Sequence, residues 1–177
     1  MASLPLETTN GTEQAWIRRT DDGRRLLVLG ADLFDAIRRD LGGIFSDTFA
    51  ANLLYRIGIS LGRTSYLAAR NRIATEKDFW QVLEEHLKER GFAKLVGHET
   101  SAEGSKLRVE VSLHDSVFAE NVTSRKPLCD VLRGALGEWA SLHYGRKLLS
   151  SSESACNTSG SEYCIFLVEL GSEMNQE

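Results

Sequence analysis

The sequence predicts an α+β fold in which helices cover one face of an antiparallel sheet. Apolar residues recur every three to four positions through several long segments, as in amphipathic helices. Residues 106–113 alternate apolar and polar side chains, as in a half-buried strand. The predicted order is strand, helices, hairpin, helix and hairpin, with short connections, which favours an antiparallel sheet.

The first helices follow a short predicted strand at 25–30, an apolar run closed by glycine. Asp32 can cap a helix that extends to Arg39, and the glycine pair at 42–43 is expected to break it. A longer helix is predicted over 47–72. The residues expected on its buried face are Phe49, Leu53, Leu54, Ile57, Leu61 and Leu67.

Gly58 and Gly62 lie four residues apart on this second helix. Glycine inside a helix costs about 1 kcal/mol relative to alanine. We therefore predict that another helix packs closely at this point; the alternative is simple tolerance of glycine on an exposed turn. The same helix is a candidate dimerisation surface.

The third helix and a hairpin follow. Thr75 and Asp78 fit a variant of the capping box, and Gly91 ends the helix. Strands are predicted over 92–99 and 106–113. The residues expected to face the core are Phe79, Trp80, Leu83 and Leu87 of the helix and Leu107, Val109, Val111 and Leu113 of the second strand.

The last helix is predicted over 127–144, with Cys129 in its first turn, and the last strands over 147–151 and 163–169. The residues expected on the buried stripe of the helix are Leu128, Val131, Leu132, Ala135, Leu136, Trp139 and Leu142. In the final strand, Cys164, Phe166 and Val168 share one face.

Composition bounds the possible functions. The 177 residues are 42% hydrophobic and 26% charged, as in an ordinary globular domain. We expect tails at 1–22 and 171–177 and one domain at 23–170. The net charge of −4 argues against a nucleic-acid partner. No apolar stretch is long enough to span a membrane, and no signal peptide is visible, so we expect a cytoplasmic protein.

All three cysteines lie in the C-terminal third, with a glutamate near two of them. Cys129, Glu153, Cys156 and Cys164 offer three thiolates and a carboxylate, a ligand set for tetrahedral zinc. Gly160, within a Ser-Gly-Ser run, can turn the chain back so that the last two cysteines meet. The alternatives are three unrelated core cysteines, or a disulfide between the last two, which a cytosolic location disfavours.

Four protein ligands leave no open position, so such a zinc ion is structural and joins the last helix to the last hairpin. His143 is an alternative fourth ligand if Glu153 points away. We find no triad, phosphate loop or dinucleotide fingerprint, and therefore predict that the protein is not an enzyme.

Three sequence features resemble the 4-vinyl reductase, or hydrocarbon-binding, domain family over residues 24–170. They are the segment Leu54-Tyr-Arg-Ile-Gly58 with Gly62, the helix Cys129-x4-Gly134-x2-Gly137, and the run Glu153-x2-Cys156-x3-Gly160-x3-Cys164-x-Phe166. The family is related in fold to subunits of the TRAPP vesicle-tethering complex, in the superfamily of ligand-binding domains of NO signalling and Golgi transport. The resemblance implies the same four zinc ligands.

The resemblance also implies two classes of function. Family members include sensor domains that bind phenol-like effectors and proteins linked to bacteriochlorophyll synthesis. We therefore expect a zinc-containing module that binds a small hydrophobic or aromatic molecule, and a homodimer. The alternative is a dimeric scaffold that acts through helical surfaces, and for this alternative the resemblance implies a link to tetrapyrrole or photosynthetic pigment metabolism.

A ligand cavity can form where the helices lean on the sheet. The residues expected to line it are Phe79, Trp80, Val109, Val111 and Tyr55, with Tyr66 within reach. The alternative is that these side chains fill the core. In the aromatic sensors of the family a histidine or tryptophan orients the ligand hydroxyl, and Trp80 lies in the corresponding helix.

Overall fold

The computed structural model describes residues 18–19, 25–26, 32–120 and 122–174. Short 3-10 turns lie at Arg70–Arg72, Val117–Ala119 and Asn157–Ser159. The helices and strands in chain order are β1 (Arg18–Arg19), β2 (Arg25–Leu26), α1 (Asp32–Ile44), α2 (Asp47–Ala69), α3 (Glu76–Glu89), β3 (Lys94–Glu103), β4 (Lys106–His114), α4 (Asp130–Tyr144), β5 (Arg146–Ala155) and β6 (Cys164–Glu173).

The strands β1 and β2 form a two-stranded antiparallel ribbon, in which Arg18 pairs with Leu26. β2 begins where the sequence predicts a strand, and residues 27–30 of that prediction lie outside the described residues. The predicted tail at 1–22, apart from β1, also lies outside the described residues. The same holds for the end of the chain at 175–177. Residues 171–173 belong to β6.

The main sheet has four antiparallel strands in the order β3-β4-β6-β5, so two hairpins lie side by side. The predicted α+β class and antiparallel sheet are confirmed. Partners in register bring Leu113 beside Cys164 and Val111 beside Phe166. These side chains are buried, while the alternating positions are half-exposed. One row of paired residues crosses all four strands: His98, Val111, Phe166 and Glu153.

The edge strand β3 contains an irregularity that the sequence pattern did not predict. Leu95 pairs with Leu113 and Gly97 with Ser112, so Val96 has no partner in the register. An extra residue of this kind is a β-bulge, and it shifts the alternation of side chains by one position. His98 therefore pairs with Val111 and lies on the same face of the sheet, although His98 itself is exposed.

Two predictions for the first helices are wrong. α1 continues through Gly42 and Gly43 to Ile44, since each glycine weakens a helix only by about 1 kcal/mol. On α2 the buried row is Ala50, Leu54, Gly58 and Gly62. Most of the residues predicted to face the core are exposed, namely Phe49, Ile57, Leu61 and Leu67.

The small residues of α2 are buried because they pack directly against the backbone of α4. A Cβ on Gly58 would lie 2.1 Å from the carbonyl oxygen of Val131, and a Cβ on Gly62 would lie 2.7 Å from that of Ala135. The contact also involves a glycine of α4: a Cβ on Gly134 would lie 2.1 Å from the carbonyl oxygen of Tyr55 on α2. The predicted close helix packing at the two α2 glycines is therefore confirmed.

The helices α3 and α4 begin differently. Thr75 caps α3, and its hydroxyl accepts from the backbone of Asp78 while the Asp78 carboxylate accepts from the backbone of Thr75, as predicted. α4 begins at Asp130, three residues later than predicted, so that Cys129 is its N-cap and not part of its first turn. Among the described residues, no helix combines the length and apolar character needed to cross a membrane.

Candidate functional site

The four predicted metal ligands come together at the C-terminal end of the domain. Cys129 precedes α4, Glu153 lies near the end of β5, and Cys156 follows that strand. A 3-10 turn and Gly160, whose φ of 89° suits glycine, return the chain to Cys164 at the start of β6. One ligand atom from each residue lies within 4.8 Å of all the others. We call this group the Cys/Glu cluster.

The sulfur atoms of the cluster have the spacing of a tetrahedral zinc site. The Sγ of Cys129 lies 3.8 Å from that of Cys156 and 3.7 Å from that of Cys164, and the last two are 3.7 Å apart. With Zn–S bonds of about 2.3 Å, the corners of a tetrahedron lie about 3.8 Å apart. All three cysteines are buried free thiols, so the alternative of a disulfide is wrong.

Glu153 completes the donor set. Its Oε2 accepts a hydrogen bond of 3.0 Å from the backbone N–H of Cys129. Its Oε1 is buried and has no hydrogen-bond partner. A buried acceptor without a partner is costly. A cation bound by the three neighbouring sulfurs would give Oε1 the partner that it lacks. The residues therefore fit a thiolate-bound metal ion.

The charge state of the cluster follows from the same contacts. Burial raises the pKa of Glu153 to about 8. Hydrogen bonds with the neighbouring thiols of Cys129 and Cys164 lower the pKa of Cys156, while hydrogen bonding to the other two sulfurs raises that of Cys129. Ionisation of all four groups needs a positive ion between them.

The alternative ligand His143 is excluded by its position. α4 carries Cys129 at its start and His143 at its end, about 21 Å apart at roughly 1.5 Å per residue. The imidazole of His143 instead stacks on Phe79, with ring centroids 4.0 Å apart.

The predicted ligand residues separate into two groups. Phe79, Trp80, Val109 and Val111 are buried in one hydrophobic core. Tyr55 does not join them; its ring lies under the guanidinium of Arg133, 4.5 Å from the ring centroid. Tyr66 packs against the core at Trp139, where the two rings meet edge to face.

An open groove lies on the outer side of Trp80. It runs between α3 and β3, has a volume of about 460 Å³, and is lined by Trp80, Gln81, Glu84 and residues 95–98. The ring of His98 stacks on the indole of Trp80, with centroids 4.0 Å apart and planes 7° apart. The indole Nε1 is buried and has no hydrogen-bond partner. We call this the α3–β3 groove.

Sequence reasoning missed His98 and the strand residues of this groove. A regular strand from 92 to 99 gives no reason to place His98 beside Trp80. The available signal is Gly97, because a glycine inside a strand pattern often marks a bulge.

Neither a protein-family model nor a curated protein sequence matches the chain. Among solved structures, it is similar to the phenol-responsive sensory domain of the transcription activator PoxR with phenol. The TM-score is 0.69 at 18% identity, over 88% of this chain and 85% of that one. The chain is also similar to subunit 3 of a trafficking protein particle complex from Naegleria fowleri, covalently bound to palmitic acid. Here the TM-score is 0.54 at 15% identity, over 82% of this chain and 95% of that one.

A vinyl-4-reductase family protein from Methanocaldococcus jannaschii is also similar, with a TM-score of 0.49 at 16% identity, over 80% of this chain and 90% of that one. At such identities the likeness concerns the fold. The chain has the α+β fold of the PoxR sensory domain and of the trafficking subunit, and the predicted relation in fold is confirmed.

Proposed function

We propose that this protein is a non-catalytic sensor module that binds a small apolar or aromatic molecule carrying a hydrogen-bond acceptor. The observation that carries this proposal is the α3–β3 groove, which is lined by Trp80, a residue whose indole Nε1 is buried and has no partner. A buried donor left unsatisfied costs about 1–3 kcal/mol. A ligand acceptor placed against it would recover that energy.

The groove suits such a ligand in size and composition. Its volume of about 460 Å³ falls within the range of small-molecule sites. It combines aromatic and aliphatic walls with polar groups from Gln81, Glu84 and His98. The PoxR domain, which shares the fold, is described as phenol-responsive, and a phenol offers both an aromatic ring and an acceptor oxygen.

Calorimetry with phenols, fatty acids and tetrapyrroles tests the proposal, with Trp80→Phe as the decisive variant. Phenylalanine keeps an aromatic ring and removes the N–H, so affinity for the best ligand is expected to fall about tenfold. Trp139→Phe is the matched control, because the Nε1 of Trp139 already donates to Ser65, and it should leave the affinity unchanged. Absence of binding in all three ligand classes would refute the proposal.

The same proposal assigns Zn²⁺ to Cys129, Glu153, Cys156 and Cys164 as a structural ion. The sulfur spacing and the unpartnered Oε1 of Glu153 support it. Four protein ligands leave no position for water, so we assign the ion no catalytic role. Free thiols are compatible with the reducing cytoplasm that we propose as its location.

Native mass spectrometry and elemental analysis of freshly purified protein test this assignment. We expect one zinc ion per chain. Protein that is folded and fully reduced but carries no transition metal, and takes none up when zinc is added, would contradict it.

A second candidate function is a dimeric scaffold, favoured by the exposed apolar residues of α1 and α2. Ile44 is 72% exposed, Phe45 62% and Leu61 41%, and the rings of Phe45 and Phe49 pack on each other. Contiguous exposed apolar surface often marks an interface. The homodimer remains part of the proposal in either case.

Sedimentation velocity tests the dimer. Phe45→Asp should produce monomers, while Leu149→Asp, an exposed apolar residue on β5, should not. A monomeric wild type contradicts this candidate. A dimer that binds none of the ligands favours the scaffold over the sensor.

A further inference from the structure

Each of the four residues in the Cys/Glu cluster has a hydrogen-bonding group of its own beside it. The hydroxyl of Ser116 lies 3.3 Å from the Sγ of Cys129. The hydroxyl of Thr158 lies 3.1 Å from the Sγ of Cys156 and 3.2 Å from the carbonyl oxygen of Lys126, and its one hydrogen can be donated to either. The remaining donors are backbone N–H groups: that of Asn157 donates to the Sγ of Cys164 at 3.4 Å, and that of Cys129 donates to Glu153 at 3.0 Å.

The two hydroxyls are held in place by the chain around them. Ser116 follows Asp115, whose φ of 53° lies in the left-handed region that aspartate tolerates, and the backbone carbonyl of Ser116 accepts from Ala119. Thr158 lies in the 3-10 turn between the last two cysteines, and its backbone carbonyl accepts from Ser124. Ser116 is 3% exposed and Thr158 2%, so both hydroxyls are shielded from solvent.

The charge of the cluster explains why such donors are needed. Three thiolates and a carboxylate around a divalent ion leave a net charge of −2 in a buried site. Hydrogen bonds to ionised acceptors are about twice as strong as neutral ones, and groups just outside the ligands typically change metal affinity by about 10–100-fold. We propose that Ser116 and Thr158 are positioning residues whose hydroxyls hydrogen-bond the sulfur atoms of Cys129 and Cys156, orient these ligands and thereby set the metal affinity. This inference rests on the metal site proposed above.

Thr158→Val and Ser116→Ala test the inference, with metal affinity measured by chelator competition for Zn²⁺ and Co²⁺. Valine keeps the shape of threonine and removes the hydroxyl. Each variant is expected to bind the metal about 10–100-fold more weakly. Thr158→Ser keeps the hydroxyl and should restore most of the affinity, which loss of packing alone would not allow.

Ser159→Ala is the matched control. Its hydroxyl lies one residue away but donates to the backbone carbonyl of Cys156 and not to a sulfur. Its metal affinity should equal that of the wild type. Far-UV circular dichroism of the metal-loaded proteins checks that each variant is folded, and Ser116→Ala serves alone if Thr158→Val does not fold.

The Co²⁺ spectrum gives a second readout. Removing a hydrogen bond raises the energy of the sulfur lone pairs, so the sulfur-to-cobalt charge-transfer band should move to longer wavelength in Thr158→Val and not in Ser159→Ala. Unchanged affinity and band position in both hydroxyl variants would overturn the inference while leaving the metal site intact. A wild type that binds neither ion overturns the metal site and this inference together.

Discussion

The Cys/Glu cluster and the α3–β3 groove each contain one buried side-chain atom without a partner, and the two atoms have opposite chemistry. Among the described residues these are the two such atoms: Glu153 Oε1, an acceptor, and Trp80 Nε1, a donor. The acceptor lies among thiols, where we propose a cation, and the donor belongs to Trp80, where we propose a ligand acceptor.

The Cys/Glu cluster and the α3–β3 groove also differ in their exposure to solvent. The sulfur atoms belong to fully buried residues contributed by three separate segments of the chain. The groove is open to solvent between one helix and an edge strand. We therefore expect the cluster to determine stability and the groove to determine recognition, and the following experiments test that division in order of expected effect.

Metal removal should have the largest effect. At a free metal concentration of roughly a thousand times its Kd, binding stabilises the folded protein by about 4 kcal/mol. For a chain of this length that corresponds to about 8–16 °C in Tm. Scanning calorimetry before and after chelation measures it, and hydrogen exchange should rise first in α4, β5 and β6. An unchanged Tm after proven loss of the metal would contradict a structural role.

Gly58→Ala should be next, because it disturbs the cluster from a distance. The new methyl group would meet the carbonyl oxygen of Val131, two residues after Cys129. Overpacking of this kind costs about 1–3 kcal/mol or more, and metal affinity should fall with it. Gly43→Ala is the control: a Cβ there has no neighbour within 4 Å, so it should stabilise α1 by about 1 kcal/mol at most. Equal effects of the two substitutions, measured in urea, would contradict the packing.

Acid should weaken the packing of α3 through His86, whose ring centroid lies 5.3 Å from that of Trp139 on α4. Burial, with a contribution from Arg90, lowers the pKa of His86 from 6.5 to about 4. A lowered histidine pKa means that its contribution to stability is present above pH 6.5 and is lost as the pH falls toward 4. The loss is on the order of 2 kcal/mol, allowing for partial exposure.

Urea unfolding of the wild type and of His86→Gln across this range isolates the effect. The carboxylates and metal ligands titrate alike in both proteins, so their contributions cancel in the difference between the two unfolding free energies. That difference should still change with pH, because only the wild type carries His86. A difference that is constant from neutral pH to pH 4 would show that His86 is not responsible.

The smallest expected effect concerns the N-terminal caps of α3, beside the groove, and of α4, beside the Cys/Glu cluster. Thr75 caps α3 through a bond within its own first turn, so Thr75→Ala should cost about 1 kcal/mol with or without metal. Cys129, which starts α4, has no side-chain cap and instead donates its N–H to Glu153 on β5. Thermal unfolding of Thr75→Ala in both metal states provides the measurement, and a metal-dependent loss would contradict this distinction.

Features determined by neighbouring residues could be predicted from the sequence. The capping box at Thr75 depends on a hydroxyl and a carboxylate three positions apart, and the face of β4 follows from simple alternation. The two α2 glycines predicted a close helix contact because no local reason explains them. The ligand types and the turn at Gly160 indicated the composition of the Cys/Glu cluster before its geometry was known.

Features determined by residues far apart in the sequence could not be predicted from it. The buried side of α2 follows its small residues because α4 packs against its backbone, and amphipathic spacing alone favoured the larger side chains. The bulge at Val96 depends on pairing with β4, so the position of His98 followed only from the structure. Ser116 and Thr158 are ordinary loop residues until the fold places them beside sulfur.

The row His98, Val111, Phe166 and Glu153 joins the two regions across the sheet. With strands about 4.8 Å apart, its ends are roughly 14 Å from each other. Every step along this row is a direct pairing between adjacent strands. The imidazole at one edge of the sheet and the carboxylate at the opposite edge therefore belong to a single line of directly paired residues.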